Sequence, residues 1–438
     1  MYQLLASAGK DPHSNISAKG LSGEGYEGHY FWDTEIYMLP LFTLSSPAIA
    51  KNLLRFRYEI LGASRDRARE MGHKIGAKIP WRTISGRECS GFFPAGSAQY
   101  HINADVAYAY IQYFLFTADI DMMLEFGYEV IYETARLWID MGHFNEDDAF
   151  MINAVTGPDE YTAIVNNNYY TNVLAAYHLK WAYDLAEKLA TAYPDKWERI
   201  KEKIHIMADE LAIMKKASEQ MYLPFDKALG INLQDDGFKN KAEWDFAGTP
   251  KNHHPLLLHY HPLTIYRYKV LKQADTVLAY LLLDNESDEV IETSYTYYER
   301  LTTHDSSLSP CVYGMMASRI NQTEKAYNYF MQTIRLDLDN LHDNTKDGLH
   351  IANAGGAYMS IIYGFGGLRI KSDGLHLKPT KPAEWETIRF RLKYKDSLVT
   401  VTIGEQLTIE TEKPINFIID GSPIQVDGTI HMVYHGKH

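Results

Sequence analysis

Five short stretches gather the residue types that bond-breaking chemistry uses. The first is Gly23-Glu24-Gly25-Tyr26-Glu27-Gly28-His29-Tyr30-Phe31-Trp32-Asp33-Thr34-Glu35. Glycines let a backbone turn tightly or approach a ligand. An aromatic face can stack on the apolar C–H face of a pyranose while a carboxylate accepts its hydroxyl protons. The plain reading is a helix start, with Asp33 or Thr34 as cap and Trp32 in the core. The second is Ala154-Val155-Thr156-Gly157-Pro158-Asp159-Glu160-Tyr161, a Gly-Pro loop before adjacent carboxylates. A carboxylic acid partly desolvated beside Pro158 and Tyr161 can protonate a leaving oxygen. Taken alone, Asp-Glu in a loop reads as a solvated surface or a cap for the helix beginning near Asn168.

The third stretch, Tyr268 to Asp275, offers Lys272 and Gln273 to sugar hydroxyls or an anion from a helix end. An exposed helical Lys-Gln pair is the plainer reading. The fourth, Leu301-Thr302-Thr303-His304-Asp305-Ser306-Ser307-Leu308-Ser309-Pro310, clusters hydroxyls before an apolar helix, which suits an anion such as phosphate. A plain cap by Ser306 or Ser307 is compatible with that. His304-Asp305-Ser306 is not read as a hydrolase triad, because adjacent residues rarely form one and no Gly-x-Ser-x-Gly elbow exists. The fifth, Asp347 to Ala357, brings His350 and the pair Gly355-Gly356, readable as an anion donor with close backbone approach or as tight helix packing. His253-His254 and His259-Tyr260-His261 lack nearby carboxylates at ligand spacing and sit beside Pro255 and Pro262, so no metal is expected.

These stretches need a scaffold, and its pattern changes near residue 370. Before it, apolar spacing is helical: Leu174, Tyr177, Trp181 and Leu185 share one face, as do Leu124, Tyr128, Ile131, Ala135 and Trp138. Lys272 to Leu283 and Thr323 to Leu336 read similarly. About a dozen such segments without a fixed repeat suggest a closed ring of helix pairs rather than a solenoid. After Arg369 the period is two, as in Ile388-Arg389-Phe390-Arg391-Leu392-Lys393-Tyr394. Leu398–Ile403, Leu407–Ile409 and Ile415–Ile419 follow, with turns at Gly404 and Asp420-Gly421. The expected organisation is a mainly α barrel over 1–369 and a small antiparallel β domain over 370–438.

Composition closes other routes. The chain has 438 residues, net charge −13 and only Cys89 and Cys311. That argues against a nucleic-acid binder, an anionic membrane surface, a disulfide framework and a thiolate zinc site. No apolar run suits a membrane span or a signal peptide, so a cytoplasmic protein is expected. Aromatic residues reach 13%, more than a core alone demands.

Each stretch is ambiguous; their order and wording are not. Gly28-His29-Tyr30-Phe31-Trp32-Asp33-Thr34-Glu35, Thr156-Gly157-Pro158-Asp159-Glu160-Tyr161, Lys272-Gln273-Ala274-Asp275, Thr303-His304-Asp305-Ser306-Ser307-Leu308-Ser309 and Asn344-Thr345-Lys346-Asp347-Gly348-Leu349-His350 together resemble glycoside hydrolase family 65. That family holds inverting phosphorylases of kojibiose, nigerose, maltose, trehalose and related α-glucosides. The resemblance implies an (α/α)6 barrel with its site at one mouth and a small C-terminal β domain. It makes Glu160 the general acid and gives Trp32, Asp33, Lys272 and Gln273 the transferred glucose. Ser306, Ser307 and His350, with the backbone of Gly355-Gly356, receive phosphate. It implies no metal or organic cofactor, inorganic phosphate as co-substrate and a disaccharide as partner, with a homodimer as the candidate assembly.

Lys78 to Thr83 and Ser97 to Asp105 look more like the kojibiose, nigerose or trehalose enzymes than the maltose ones. The family also contains trehalase-like hydrolases, which place a second carboxylate where phosphate would sit; the hydroxyl-rich Thr302–Ser309 favours phosphorolysis. A non-catalytic sugar-binding fragment is the third alternative. Full-length members carry an N-terminal β-sandwich and linker that this sequence lacks. The first barrel helix is therefore expected to be truncated, leaving a ring at risk of exposing apolar faces.

Overall fold

Asn168 shows how the ring begins: its side chain accepts the Thr171 N–H (2.8 Å) and starts a 24-residue helix, Tyr169–Ala192, as an N-cap. That helix buries side chains on several faces in its first turns, which marks an inner position. In the computed structural model, residues 1–9 and 11–434 are described; residues 435–438 of the expected β domain lie outside the described residues.

Six inner helices are found among the described residues. They are α1 (the wide turn Thr34–Met38 continuing as Leu39–Ser45), α2 (Ile102–Thr117), α3 (Tyr169–Ala192), α4 (Thr276–Leu283), α5 (Ser309–Arg319) and α6 (Ile351–Met359, continued by Ser360–Phe365). Each packs on the next, and α6 packs back on α1, so the ring closes. Outer helices pair with them: Pro47–Glu59, Tyr128–Met141, Ala208–Glu219, Asp288–Glu299 and Thr323–Arg335. The sixth outer position holds the six-residue helix Tyr2–Ser7, which lies on α6 with Leu4 buried. The expected (α/α)6 barrel is present, and its inner ring closes although its first outer helix is short.

Close packing of α6 on both of its ring neighbours, α1 and α5, depends on two glycines. A Cβ on Gly355 would lie 2.1 Å from the Tyr37 carbonyl oxygen, and one on Gly356 would lie 2.6 Å from Cys311 Sγ. The amphipathic reading holds for Thr323–Arg335, where Ala326, Phe330 and Thr333 are buried; in Tyr128–Met141 the stripe Tyr128, Ile131, Ala135 and Trp138 is buried, but so are Glu129, Val130, Tyr132, Glu133 and Leu137. One helical boundary differs. Lys272 to Asp275 are not helical; Leu271 forms a bridge with Thr302, and α4 starts only at Thr276.

Strands β1 (Leu368–Lys371), β2 (Gly374–Leu377), β3 (Ile388–Tyr394), β4 (Ser397–Ile403), β5 (Leu407–Ile419) and β6 (Ser422–Met432) form the C-terminal sheet. Its order is β1-β2-β5-β4-β3, with β6 also on β5; all pairs are antiparallel except β2 with β5. Ile388, Phe390, Leu392 and Tyr394 point inward and the intervening cations outward, as alternation requires. Tyr394 meets Phe116 at the C-terminal end of α2 (5.3 Å between ring centroids). The sheet therefore closes one end of the barrel, opposite the end at which the inner helices begin.

Candidate functional site

The stretches singled out above immediately precede inner helices. Trp32-Asp33 precede α1, Lys272-Gln273 precede α4, Ser306-Ser307 precede α5 and His350 precedes α6. The ring thus delivers them to one mouth together with several helix N-termini, whose free N–H groups and dipoles favour negative charge.

Trp32 is buried, edge-on to His101 (5.1 Å) and Tyr37 (5.8 Å), which fixes its ring as a wall. Asp33 does not cap the helix that follows it. Its carboxyl faces the cavity, and burial, helped by the nearby Glu35 and Glu160 charges, pushes it up to about 7. Glu35, two residues on, turns away: Arg57 Nε and Nη2 donate to its two oxygens at 2.8 Å each. Rings of Tyr26, Phe31 and Trp81 contact edge to face along the rim (5.4 and 5.2 Å).

Glu160 stands on a loop that cannot wander. A Cβ on Gly157 would lie 2.2 Å from Asp275 Oδ2, so the turn requires glycine. The buried Asp159 side chain accepts the Lys272 N–H (2.7 Å), the Tyr161 N–H (3.2 Å) and Gln234 Nε2 (3.0 Å), while its own N–H donates to Asp275 (3.3 Å). That splices the Glu160 loop to the Lys272 segment. Burial pushes Asp159 up to about 6 and Asp275 well above the usual carboxylate range. Lys272 Nζ lies 2.5 Å from Glu160 Oε2, and Gln273 Nε2 donates to the Pro158 carbonyl (2.6 Å). Burial alone would lower Lys272; the Glu160 carboxylate outweighs it and holds the ammonium up. Such a cation stabilises the carboxylate left after a proton is delivered. The Tyr161 phenol, expected beside the acid, points instead to Asp305.

The same cavity also carries donors for an anion. His350 Nδ1 and its backbone N–H both engage Asp337 (2.6 and 2.8 Å), which orients the ring with Nε2 free for the cavity. Burial would raise Asp337, but the His350 hydrogen bonds keep it below the usual range. Ser306, Ser307 and Lys19 line the cavity as well. Lys19 Nζ donates to the Gly348 carbonyl (3.1 Å), and burial lowers its pKa.

One cavity of roughly 170 Å³ collects Trp32, Asp33, Glu160, Lys272, Gln273, Ser306, Ser307 and His350. Gly356 is a correction. It lies in the second turn of α6, packed on Cys311, and does not line the cavity; its role is to let two inner helices touch. His304 is likewise a strut, with Nδ1 on Ser309 Oγ (2.8 Å) and Nε2 near the Tyr329 hydroxyl (3.2 Å). His304, Asp305 and Ser306 diverge to different partners, so they form no triad. Lys272 and Gln273 are loop residues rather than an exposed helical pair. Lys19 and Asp337 belong to the site although no local pattern marks them, while Tyr26 comes from the first stretch. Among the described residues no cluster suits a metal ion. His253 instead stacks on His259 (4.8 Å), and His254 reaches Asp305 (2.8 Å).

The raised Asp33 yields a test. An acid with a raised native pKa binds its proton more tightly when folded. Its stabilising contribution is complete below about pH 4 and is lost as pH rises through about 7. Asp33→Asn cannot ionise and is expected to gain about 2–4 kcal/mol relative to wild type between those limits. Urea-unfolding free energies of both proteins at pH 5 and 8 check it; parallel profiles would contradict the assigned shift.

Comparison with known proteins bears on the family and the fold. Residues 1–359 match the Glycosyl hydrolase family 65 central catalytic domain, and residues 368–426 match the C-terminal domain of the same family. A protein of Geobacillus stearothermophilus named alpha,alpha-trehalose phosphorylase is 56% identical over 97% of this chain and 57% of its own length. One of the same name from Thermoanaerobacter brockii is 45% identical over 97% of this chain and 54% of its own. A solved structure from the human microbiome, provisionally assigned as a kojibiose phosphorylase, superposes with TM-score 0.91 at 33% identity, covering 100% of this chain and 65% of that one. The chain spans little more than half the length of the curated relatives it matches. No helix among the described residues is long and apolar enough to cross a membrane.

Proposed function

The chain belongs to glycoside hydrolase family 65, and on that premise we propose that it carries out inverting phosphorolysis of an α-linked glucose disaccharide. Glu160 protonates the glycosidic oxygen, while phosphate attacks the anomeric carbon from the opposite face. One C–O bond forms as the other breaks, and the α-linkage becomes β-glucose 1-phosphate. The acceptor sugar leaves with the Glu160 proton, which solvent replaces. Trp32, Asp33, Lys272 and Gln273 hold the transferred glucose, and Lys272 also steadies the Glu160 carboxylate after transfer. Phosphate is already an anionic nucleophile, so it needs orientation and not a base. The proposal requires no metal or organic cofactor.

The observation that carries this reading is the make-up of the cavity's lining. Ser306, Ser307, His350 and Lys19 supply hydroxyls and cationic or polarised N–H groups where a hydrolase would need a carboxylate base. Among candidate substrates trehalose ranks ahead of kojibiose. The relatives named for trehalose are 56% and 45% identical, against 37–39% for relatives named for kojibiose.

A panel of trehalose, kojibiose, nigerose and maltose, each with and without inorganic phosphate, tests the proposal. The expected result is β-glucose 1-phosphate from one linkage only, trehalose first, and strictly dependent on phosphate. Free glucose released without phosphate would establish the trehalase-like hydrolase instead. Disaccharide binding with no turnover would leave a sugar-binding protein.

A further inference from the structure

Resting on that reading, we propose that Asp305 is a positioning residue that ties the acid loop to the anion loop, so that placing Glu160 and seating phosphate are one event. Asp305 directly precedes Ser306 and Ser307, and Tyr161 directly follows Glu160. The Tyr161 hydroxyl donates to Asp305 Oδ2. The Leu256 N–H is shared between that hydroxyl (2.8 Å) and the same carboxylate oxygen (2.9 Å), and His254 Nδ1 engages the other oxygen at 2.8 Å. Three chain segments, around 161, 254–256 and 305, thus meet at one carboxylate whose side chain is 3% exposed.

The contact is built for coupling. Tyr161 is fully buried, yet it packs in a small satellite cluster with Trp244, Leu256, Ile265 and Val270, apart from the main core. Burial and the Asp305 charge push its phenol far up, so the O–H keeps its proton and donates at every working pH. Neither Tyr161 nor Asp305 lines the cavity. A substitution at Tyr161 that keeps the backbone and Glu160 in place therefore reaches phosphate through Asp305 and the backbone of the serine loop. Hydrogen bonds to a buried charge are the strong class, and losing one leaves the partner unsatisfied.

Steady-state kinetics and calorimetric titration of inorganic phosphate, on the wild type and four variants, decide it. Tyr161→Phe is expected to raise the phosphate KM and Kd about tenfold, the scale of one lost hydrogen bond to a charged group. Asp305→Ala is expected to do at least as much, and the double variant no more than Asp305→Ala alone. Asp305→Asn, which keeps an acceptor for Tyr161 and Leu256, is expected to stay within about threefold of wild type. A residue with a merely structural role would lower the thermal midpoint and leave phosphate affinity unmoved. Unchanged phosphate affinity in Tyr161→Phe, or effects that multiply in the double variant, would overturn the tie. Absence of glucose 1-phosphate from a wild type that still binds phosphate would overturn the phosphorylase reading and not the tie, because the titration reads the tie without turnover.

Discussion

Glu160→Gln is expected to lower kcat for phosphorolysis by about 10²–10⁴-fold with little change in the disaccharide KM. The amide keeps the side chain's size and place, but it has no proton to give a leaving oxygen. It also removes the negative partner of Lys272, whose ammonium lies 2.5 Å from Oε2. The loss should concentrate in the step that needs protonation, and this can be read directly. A glucosyl donor with a leaving group that departs without help, such as a fluoride, should recover much of the lost rate in the variant. Equal losses with fluoride and disaccharide would mean that Glu160 binds rather than protonates.

Arg57→Met is expected to destabilise the fold by about 3–5 kcal/mol. Arg57 is wholly buried, and its guanidinium grips both oxygens of Glu35 and also donates to the Phe31 carbonyl (3.1 Å). Methionine matches the stem but leaves the Glu35 carboxylate buried without a counter-charge. Adding Glu35→Gln should return part of the loss, since a buried amide is far less costly than a buried lone charge. Equilibrium urea unfolding of the two single variants and the double variant measures it. A double variant as weak as the sum of the singles would refute the pairing argument. Trp32 and Asp33 sit between Phe31 and Glu35, so the same variants should also weaken disaccharide binding.

Legibility of the sequence varied with how local each cause is. The helix Thr323–Arg335 was readable because one stripe of Ala326, Phe330 and Thr333 suffices to define its buried face. Strand β3 was readable for the same reason, with a strict alternation over seven residues. Strand β5 was read as two pieces because Lys413-Pro414 interrupts the pattern. In the structure one strand runs through, with the register shift between Thr411 and Ile415 accommodating the proline. The parallel pairing of β2 with β5 leaves no local mark. Nor does the loop character of Lys272, which comes from Asp159 more than a hundred positions away.

The site stretches were legible as stretches, but what assembled them was the likeness of five ordered motifs to a known family. Lys19 and Asp337 stayed hidden because each acts through a partner distant in sequence: Lys19 on Gly348, Asp337 on His350. Gly356 illustrates the reverse. A glycine pair near a histidine suggests anion binding, and the demand it meets is a helix contact with Cys311.

The seam between α6 and α1 has a kinetic consequence. It joins residues more than three hundred positions apart, with Gly355 against Tyr37, so it is the costliest loop to close and should form late in folding. Trp32 and Asp33 lie on one lip of that seam and His350 on the other. A chain arrested before closure would hold most of its helices and have no working mouth. Refolding followed by helix content should therefore run ahead of refolding followed by substrate binding, and the lag would time the last joint of the ring.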